Sequence, residues 1–232
     1  MAKSTCMIIE SKAKSKSASP LHIQMSENVI NQVPYMKYLG LTIDETLSWD
    51  LHINNIVKLL SMKLSVLRRI RSFIKQDILV NIYLTTIQPI IDYGCTVWFS
   101  TTDTHIKKIQ ICQNYAARIV TNNFDYMSLN GETIVKYLGW QTVKERCIYF
   151  SSFMYYKAIN GITPSHLTDS ITMAAESHSR NTRLTDSMDV FLPAPKTGAG
   201  MKTFSFYGGK IWNSLPDTLR QSSDVFQFKK ML

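Results

Sequence analysis

The amino-acid sequence predicts a mainly α-helical protein of the α+β class, with a small group of β-strands at its N-terminal end. Three observations lead to this prediction. The 232 residues are 45% hydrophobic and 19% charged, a balance typical of globular chains. From about residue 48, apolar residues recur every three or four positions, as on one face of a helix. Before residue 46, short apolar runs alternate with turn-forming residues, as in strands.

The first 44 residues are interpreted as strands. "TCMIIE" is an apolar run of strand length, and the lysine- and serine-rich loop "SKAKSKSASP" follows it. Further strands, with a turn near residues 27 and 28, lead to "KYLGLTID". We read this last stretch as one strand in which Leu39, Leu41 and Ile43 share a face. So few strands are marginally stable without a covering partner.

The first long helix is predicted to begin at Ser48, a favourable N-cap, with Asp50 in its first turn. Its apolar stripe comprises Ile53, Ile56, Val57, Leu60, Leu64, Leu67, Ile70 and Ile74. A second helix is expected over about Gln76 to Trp98, where Pro89 should kink or divide it.

A third helix is expected from near Thr104. Its buried stripe is predicted to be Ile106, Ile109, Cys112, Ala116 and Val120. A short helix, Glu132 to Leu138, should end at Gly139, and Thr142 with Glu145 forms a capping box for the next one. That helix should bury Val143, Cys147, Phe150, Met154 and Ala158.

Residues 168–200 lose this periodicity and are predicted to be loop, with a possible strand near "MDVFLPAP". A final helix should begin after Ser223 or Asp224. Tyr149, Tyr155 and Tyr156 lie off the predicted stripe of their helix. They could stack on nucleobases, but aromatic residues at helical spacing more often pack against a neighbouring element.

The net charge of +9 favours a polyanionic partner, either nucleic acid or an anionic membrane surface. No acidic residue occurs between Leu51 and Gln76. The basic residues of that stretch are Lys58, Lys63, Arg68, Arg69, Arg71 and Lys75. Such a helix can follow a phosphate backbone, although its charges do not form one clean face. A solvated surface helix is the competing interpretation.

Other chemistry finds little support in the sequence. The four cysteines show no CxxC spacing and the histidines no HxxxH spacing, so we expect no disulfide, metal site or cofactor. Cys112 and Cys147 are interpreted as buried thiols in a reducing compartment. Gly208-Gly209-Lys210 lacks the remainder of a phosphate-binding loop. The segment Ile78–Phe99 carries polar residues and is interpreted as a packed helix, not a membrane span.

Several stretches resemble, in order, reverse transcriptases of LINE-type (non-LTR) retrotransposons downstream of their catalytic palm. The N-terminal ones are "KSTCMIIESK", "YMKYLGLTIDETLSWDLHI", "LSVLRRIRSFI", "LTTIQPIIDYGCTVW" and "IKKIQICQNYAARIVT". The C-terminal ones are "YLGWQTVKERCIYFSSFMYYKAINGITPSHL" and "KTFSFYGGKIWNSLPDTLRQSSDVFQFKKML". Together they cover nearly the whole chain.

The resemblance implies four regions. Residues 1–46 would be palm strands, in which Tyr38, Leu39 and Gly40 match the primer-grip region. Residues 47–124 would be a thumb-like helical bundle that grips the RNA/DNA template–primer. Residues 125–167 would be a C-terminal helical region, and residues 168–232 a loop-rich segment with a terminal module.

The chain departs from the family at the catalytic centre. The aromatic-x-Asp-Asp turn of the family is absent, and the sole adjacent acidic pair, Asp44-Glu45, is better explained by turn or capping duty. The family's endonuclease domain and zinc knuckle are not present either. We therefore expect an intracellular, truncated and non-catalytic protein, nuclear or cytoplasmic, that binds template–primer without a small-molecule substrate. A helical protein-interaction module and an unstable remnant are the alternatives.

Overall fold

The described part of the protein is mainly helical with a few short strands, as the sequence predicts. The computed structural model describes residues 4–10, 23–25, 28–177 and 188–232. The predicted loop at residues 11–20, half of the turn predicted near residues 27 and 28, and residues 178–187 lie outside these ranges. The chain divides into two compact units. Unit 1 comprises residues 1–94 and 101–143, and unit 2 comprises residues 95–100 and 144–232.

The strands of unit 1 form two small sheets. They are β1 Thr5–Cys6, β2 Ile23–Met25, β3 Asn28–Gln32, β4 Tyr35–Tyr38 and β5 Leu41–Asp44. Strand β3 lies between β1, to which it is parallel, and β2, to which it is antiparallel. Strands β4 and β5 pair with each other as an antiparallel hairpin.

The prediction that "KYLGLTID" is one strand is wrong, because the chain reverses in its middle. Tyr38 pairs with Leu41, so Leu39 and Gly40 form a two-residue hairpin loop. Their φ angles are +45° and +83°, and positive values at both central residues characterise type I′ turns. Leu39 is therefore 73% exposed and does not share a face with Leu41 and Ile43. The feature of the sequence that indicates this turn is Gly40, because glycine tolerates positive φ and marks a turn after a strand.

The helices follow in the predicted order. In chain order they are α1 Asp50–Ile70, α2 Gln76–Ile82, α3 Gln88–Asp92, α4 Cys95–Trp98, α5 Asp103–Thr121, α6 Gly131–Tyr137, α7 Val143–Ile159, α8 Ser165–Thr168, α9 Ala174–Ser177, α10 Gly209–Asn213, α11 Asp217–Arg220 and α12 Val225–Met231. Within unit 1, α1 packs against α5, and α5 packs against α6.

Helix α1 buries the predicted stripe through its central turns. Ile53, Ile56, Leu60, Leu64 and Leu67 are all buried. The predicted N-cap is wrong by one residue, since the cap position is Trp49 and the helix begins at Asp50. Ser48 still serves the helix end, because its hydroxyl accepts a hydrogen bond from the Asp50 N–H at 3.2 Å. The helix ends at Ile70, so Ile74 of the predicted stripe lies beyond it.

Pro89 divides the second predicted helix through a π-helical turn. Residues Tyr83–Ile87 are π-helical, and the Gln88 N–H donates to the Tyr83 carbonyl, five residues back. Proline has no N–H to donate and its ring crowds the carbonyl four residues earlier, so one extra residue per turn relieves the conflict. Helix α3 then ends at Asp92 and the chain turns at Gly94, with φ +61°.

Helix α5 buries a polar network that its apolar spacing does not reveal. The Gln113 amide donates to the Tyr83 hydroxyl at 3.1 Å and to the Gln141 carbonyl at 2.9 Å. The Gln110 amide oxygen accepts from the Val143 N–H at 2.9 Å. These bonds tie α5 to the segments before and after it. Cys112 is half-buried, so its interpretation as a buried thiol is corrected, whereas Cys147 is buried as predicted.

Unit 2 is organised around an aromatic cluster. Tyr156 stacks on Phe228 with ring centroids 4.2 Å apart, and Trp212 lies 6.1 Å from Phe228. Tyr155 completes the cluster beside Trp212. Tyr155 and Tyr156 are 1% and 2% exposed, so the competing interpretation that they stack on nucleobases is wrong for both. Helix α7 is thus buried on more sides than the single predicted stripe.

The end of unit 2 agrees with its local sequence signals. Asp224 is the N-cap of α12, where its carboxylate accepts from the N–H groups of Phe226 and Gln227. The possible strand near "MDVFLPAP" is reduced to one antiparallel bridge between Val190 and Met173.

Candidate nucleic-acid interface

Four of the six predicted phosphate-binding side chains are exposed, three of them on α1 and the fourth at the N-cap of α2. They are Lys58, Lys63, Arg69 and Lys75, all exposed. None of the four side chains forms a hydrogen bond or ion pair with another residue in the described ranges. Helical geometry places Lys58 and Arg69 opposite the buried stripe, near 180° from Leu60. These cations are therefore available to an external anion.

The other two predicted residues, Arg68 and Arg71, contact aromatic side chains of the protein. Arg68 donates a hydrogen bond to the Tyr115 hydroxyl at 3.0 Å. The Arg71 guanidinium lies 4.6 Å from the centre of the Phe124 ring. The Tyr115 and Phe124 rings lie edge to face with centroids 6.4 Å apart, so the four residues form a row of two adjacent rings with a cation at each end. Arg68 remains exposed at one end, whereas Arg71 is half-buried.

The charge of this helical region is positive overall. Residues 46–124 contain nine Lys or Arg and four Asp or Glu, a net charge of +5 with neutral histidines. One of the four carboxylates, Asp50, lies 2.7 Å from Nε2 of buried His105. The outward face of α1 is not purely basic, however. It also exposes Leu51, Leu59, Met62 and Val66.

The predicted primer-grip-like residues occupy the exposed tip of the β4–β5 hairpin. Tyr93, which follows α3, fastens this tip. Its hydroxyl donates to the Leu39 carbonyl at 2.6 Å, and a Cβ placed on Gly40 would lie 3.1 Å from its ring. Leu41 lies even closer to Gly94, where a Cβ would come within 2.7 Å of a Leu41 methyl carbon. Sequence reasoning missed this contact because it joins residues 54 positions apart.

Replacing Tyr93 by phenylalanine is expected to loosen the hairpin tip and to lower the free energy of unfolding by about 1 kcal/mol, the net value of one hydrogen bond. Urea denaturation measures the loss, and amide hydrogen exchange of residues 38–41 locates it. Tyr137→Phe is the matched control, because Tyr137 is exposed and makes no hydrogen bond to a described residue. Equal effects of the two substitutions would contradict the role of Tyr93.

Asp44 organises the connection between the hairpin and α1. Its Oδ1 accepts from the Thr46 N–H and the Ser48 N–H at 3.1 and 2.9 Å, and its Oδ2 accepts from the Trp49 N–H at 2.9 Å. The hydroxyls of Thr46 and Ser48 donate to the same carboxylate. Burial alone would raise the pKa of Asp44, but these hydrogen bonds outweigh it and lower the pKa below the usual value.

A second interaction, a hydrogen bond, joins the hairpin to α1. The Thr42 N–H in β5 donates to Nδ1 of His52 in α1 at 3.4 Å. Burial lowers the pKa of His52, so its ring is neutral at pH 7 and able to accept this bond. Asp44 and His52 together orient the hairpin against the start of the basic helix.

Within the described ranges, no three His, Cys, Asp or Glu side chains come close enough together to bind a metal ion. Nor does any helix there combine the length and apolar character needed to cross a bilayer.

The described structure thus defines a mainly helical protein whose first long helix presents unpaired cations and whose β4–β5 hairpin has an exposed tip. Three curated proteins of Drosophila melanogaster are similar to it in sequence. A probable RNA-directed DNA polymerase from transposon X-element is 32% identical over 109 residues, which are 46% of this chain and 12% of that protein. A probable RNA-directed DNA polymerase from transposon BS is 26% identical over 136 residues, 56% of this chain and 15% of that protein.

The third relative is the RNA-directed DNA polymerase from mobile element jockey, 30% identical over 108 residues, 45% of this chain and 12% of that protein. These similarities confirm the predicted relationship: about half of the chain is related to reverse transcriptases of non-LTR retrotransposons. The aligned segments span about an eighth of the relatives' own length. No family model and no solved structure matches the chain.

Proposed function

We propose that this chain corresponds to the post-palm part of a non-LTR retrotransposon reverse transcriptase and binds template–primer nucleic acid through α1. Its residues 47–124 would act as a thumb-like bundle, with the hairpin tip at Tyr38, Leu39 and Gly40 beside it. The observation that supports this most directly is the set of exposed, unpaired cations on α1, in a chain similar to RNA-directed DNA polymerases.

The arrangement suits a backbone-binding role. A duplex carries one negative charge per about 1.7 Å of its axis, so a helix with several outward cations meets phosphates without reading bases. Lys58 and Arg69 are eleven residues apart, about 16 Å along the helix axis at 1.5 Å per residue. That separation allows the two side chains to contact different phosphates of one backbone.

We also propose that residues 1–232 do not polymerise DNA by themselves. Two-metal catalysis needs clustered carboxylates that are free to bind cations. The one adjacent acidic pair of the sequence begins with Asp44, whose carboxylate accepts five hydrogen bonds within its own turn. Incorporation of nucleotides on a primed template with Mg²⁺ by the purified chain would contradict this proposal.

The double substitution Lys58→Gln/Arg69→Gln is expected to weaken binding of an RNA–DNA duplex and to reduce its salt dependence. The slope of log K against log salt is negative, and each lost phosphate contact should reduce its magnitude by about 1. The magnitude should therefore fall by about 2 in the double variant. Fluorescence anisotropy with a labelled duplex at four salt concentrations between 50 and 200 mM measures the slope.

A matched control is Lys144→Gln/Lys210→Gln, which removes the same charge from two exposed lysines of unit 2. The proposal requires the control to keep the wild-type slope. If both double variants change the slope equally, binding is a property of net charge and not of α1. If the wild-type chain does not bind the duplex at 50 mM salt, the nucleic-acid role is wrong.

The exposed apolar residues of α1 favour a second candidate, a helical protein-interaction surface. Leu59, Met62 and Val66 follow one another at spacings of three and four and lie beside the cations. Such a stripe is typical of a helix that docks into an apolar groove. Replacing all three by serine should leave duplex binding unchanged under the first proposal, because phosphate contacts need the cations alone.

A further inference from the structure

An open groove lies in unit 1 beside the loop that joins α5 to α6. Its volume is about 570 Å³, within the range of small-molecule sites. Tyr126 and Met127 of the loop line it, together with Ile111 and Tyr115 of α5. Tyr126 is 64% exposed and Met127 96% exposed, so the loop presents both side chains to the exterior.

The side chain of Arg118 fixes the loop that carries Tyr126. Arg118 is buried in α5, and its guanidinium donates to the carbonyls of Asp125 and Leu129 at 3.0 and 2.6 Å. The same guanidinium lies 4.3 Å from the centre of the Tyr126 ring. The carboxylate of Asp125 turns into the loop, where it accepts from the N–H groups of Met127 and Ser128. One face of the Tyr126 ring is therefore covered by a cation, and the ring is held in place.

The polar side-chain groups that line the groove are two amides, two tyrosine hydroxyls and the Arg118 guanidinium. Asn114 and Asn130 line it, and each uses its amide oxygen as an internal acceptor, from Gln110 and from the Glu132 N–H. Neither Nδ2 group donates to another residue that the structure describes, so both remain donors. Arg68 is bonded to the Tyr115 hydroxyl and so brings an exposed positive charge to the groove.

We propose that this groove holds an unpaired nucleobase of a single-stranded nucleic acid segment. The Tyr126 ring supplies a fixed stacking platform, the two amides can donate to the base edge, and Arg68 pairs with the adjacent phosphate. An apolar protein segment would match Ile111 and Met127 but would leave the exposed cation and the amide donors without partners. The proposal rests on the nucleic-acid role of unit 1, but it concerns a surface other than the outward face of α1.

The test uses a single-stranded DNA 12-mer with one central 2-aminopurine, whose fluorescence falls when the base stacks, and a blunt duplex of the same length. Tyr126→Ala is expected to weaken single-strand binding about tenfold and to abolish the quenching, since base–aromatic stacking is of that order. Tyr126→Phe should retain both. The control Tyr137→Ala removes another exposed tyrosine, 82% exposed, that does not line the groove.

A second variant leaves Tyr126 in place, so it tests the groove even if Tyr126→Ala disturbs the folding of the loop. Met127→Glu adds a negative charge at an exposed position of the groove and should weaken single-strand binding several-fold, whereas Met127→Gln should not. Single-strand binding that is unaffected by Tyr126→Ala, or equally affected by Tyr137→Ala, would overturn the groove proposal alone. Loss of duplex binding in Lys58→Gln/Arg69→Gln tests the α1 proposal separately. A chain that binds neither probe at 50 mM salt overturns both proposals.

Discussion

Replacing Asp44 by alanine is expected to lower the free energy of unfolding by about 3 kcal/mol, because several backbone donors lose a charged acceptor at once. The N–H groups of Thr46, Ser48 and Trp49 converge on this carboxylate. Leu47 and Trp49 have φ angles of +51° and +67°, which cost energy for residues with a side chain. The carboxylate offsets that strain, so its removal should release the whole turn.

Urea denaturation followed by circular dichroism measures this loss. Asp44→Asn keeps one acceptor oxygen and should retain part of the stability. Asp77→Ala is the control, since it removes an exposed carboxylate from the first turn of α2, where a helix-dipole contribution is about 0.5 kcal/mol. A loss for Asp44→Ala no larger than the loss for Asp77→Ala would show that the turn does not depend on the carboxylate.

The lowered pKa of Asp44 adds a pH dependence with a definite sign. The folded state holds the carboxylate in its charged form more strongly than the unfolded state does. Its contribution is therefore complete above the unfolded pKa of about 3.9 and is lost as the pH falls through the lower folded value. The stability difference between the wild type and Asp44→Asn should accordingly shrink between pH 5 and pH 2. A constant difference over that range would contradict the lowered pKa.

Helical periodicity predicted most of the architecture. The spacing of Ile53, Leu60 and Leu67 was sufficient to place α1, and the Asp224 side chain was sufficient to start α12. Both signals are local, so a single sequence contains them. The effect of Pro89 was also predictable in kind, since any proline inside a helix removes one donor. The particular structure that results, a π-helical turn, was not predictable, because tertiary packing selects among a kink, a break and a bulge.

The hairpin shows why a local pattern can mislead. Leu39, Leu41 and Ile43 alternate as in a strand, but the chain turns at Leu39 and Gly40. A leucine at positive φ is uncommon, so the one local sign of the turn is the neighbouring Gly40. In the folded protein the turn also receives a hydrogen bond from Tyr93, which donates to the Leu39 carbonyl from 54 positions along the chain. Long-range contacts of this kind are invisible to periodicity.

The basic helix was predictable as a set of charges but not as a surface. Helical spacing alone places Lys58 and Arg69 opposite the apolar stripe, but it does not show that Arg68 and Arg71 contact aromatic rings. The groove beside Tyr126 has no sequence signature at all. Its two tyrosines and two asparagines come from a helix and a loop that meet through Arg118.

Replacing Arg118 by methionine is expected to lower the free energy of unfolding by about 3 kcal/mol, because methionine fills the space but cannot donate hydrogen bonds. The guanidinium supplies bonds to the carbonyls of Asn123, Asp125 and Leu129. Without them the α5–α6 loop should lose its fixed form, and amide exchange at Met127 should rise. Since the loop presents Tyr126, the 2-aminopurine quenching should fall in the same variant.

Arg118→Lys separates charge from geometry. A lysine keeps the positive charge but has one nitrogen, which cannot reach carbonyls on two sides of the loop as a planar guanidinium does. We expect it to recover less than half of the lost stability. Arg69→Met, which removes an exposed arginine without internal partners in the described structure, should change stability by less than about 0.5 kcal/mol. Full recovery by Arg118→Lys would mean that charge alone, and not the forked contact with the loop carbonyls, holds Tyr126 in position.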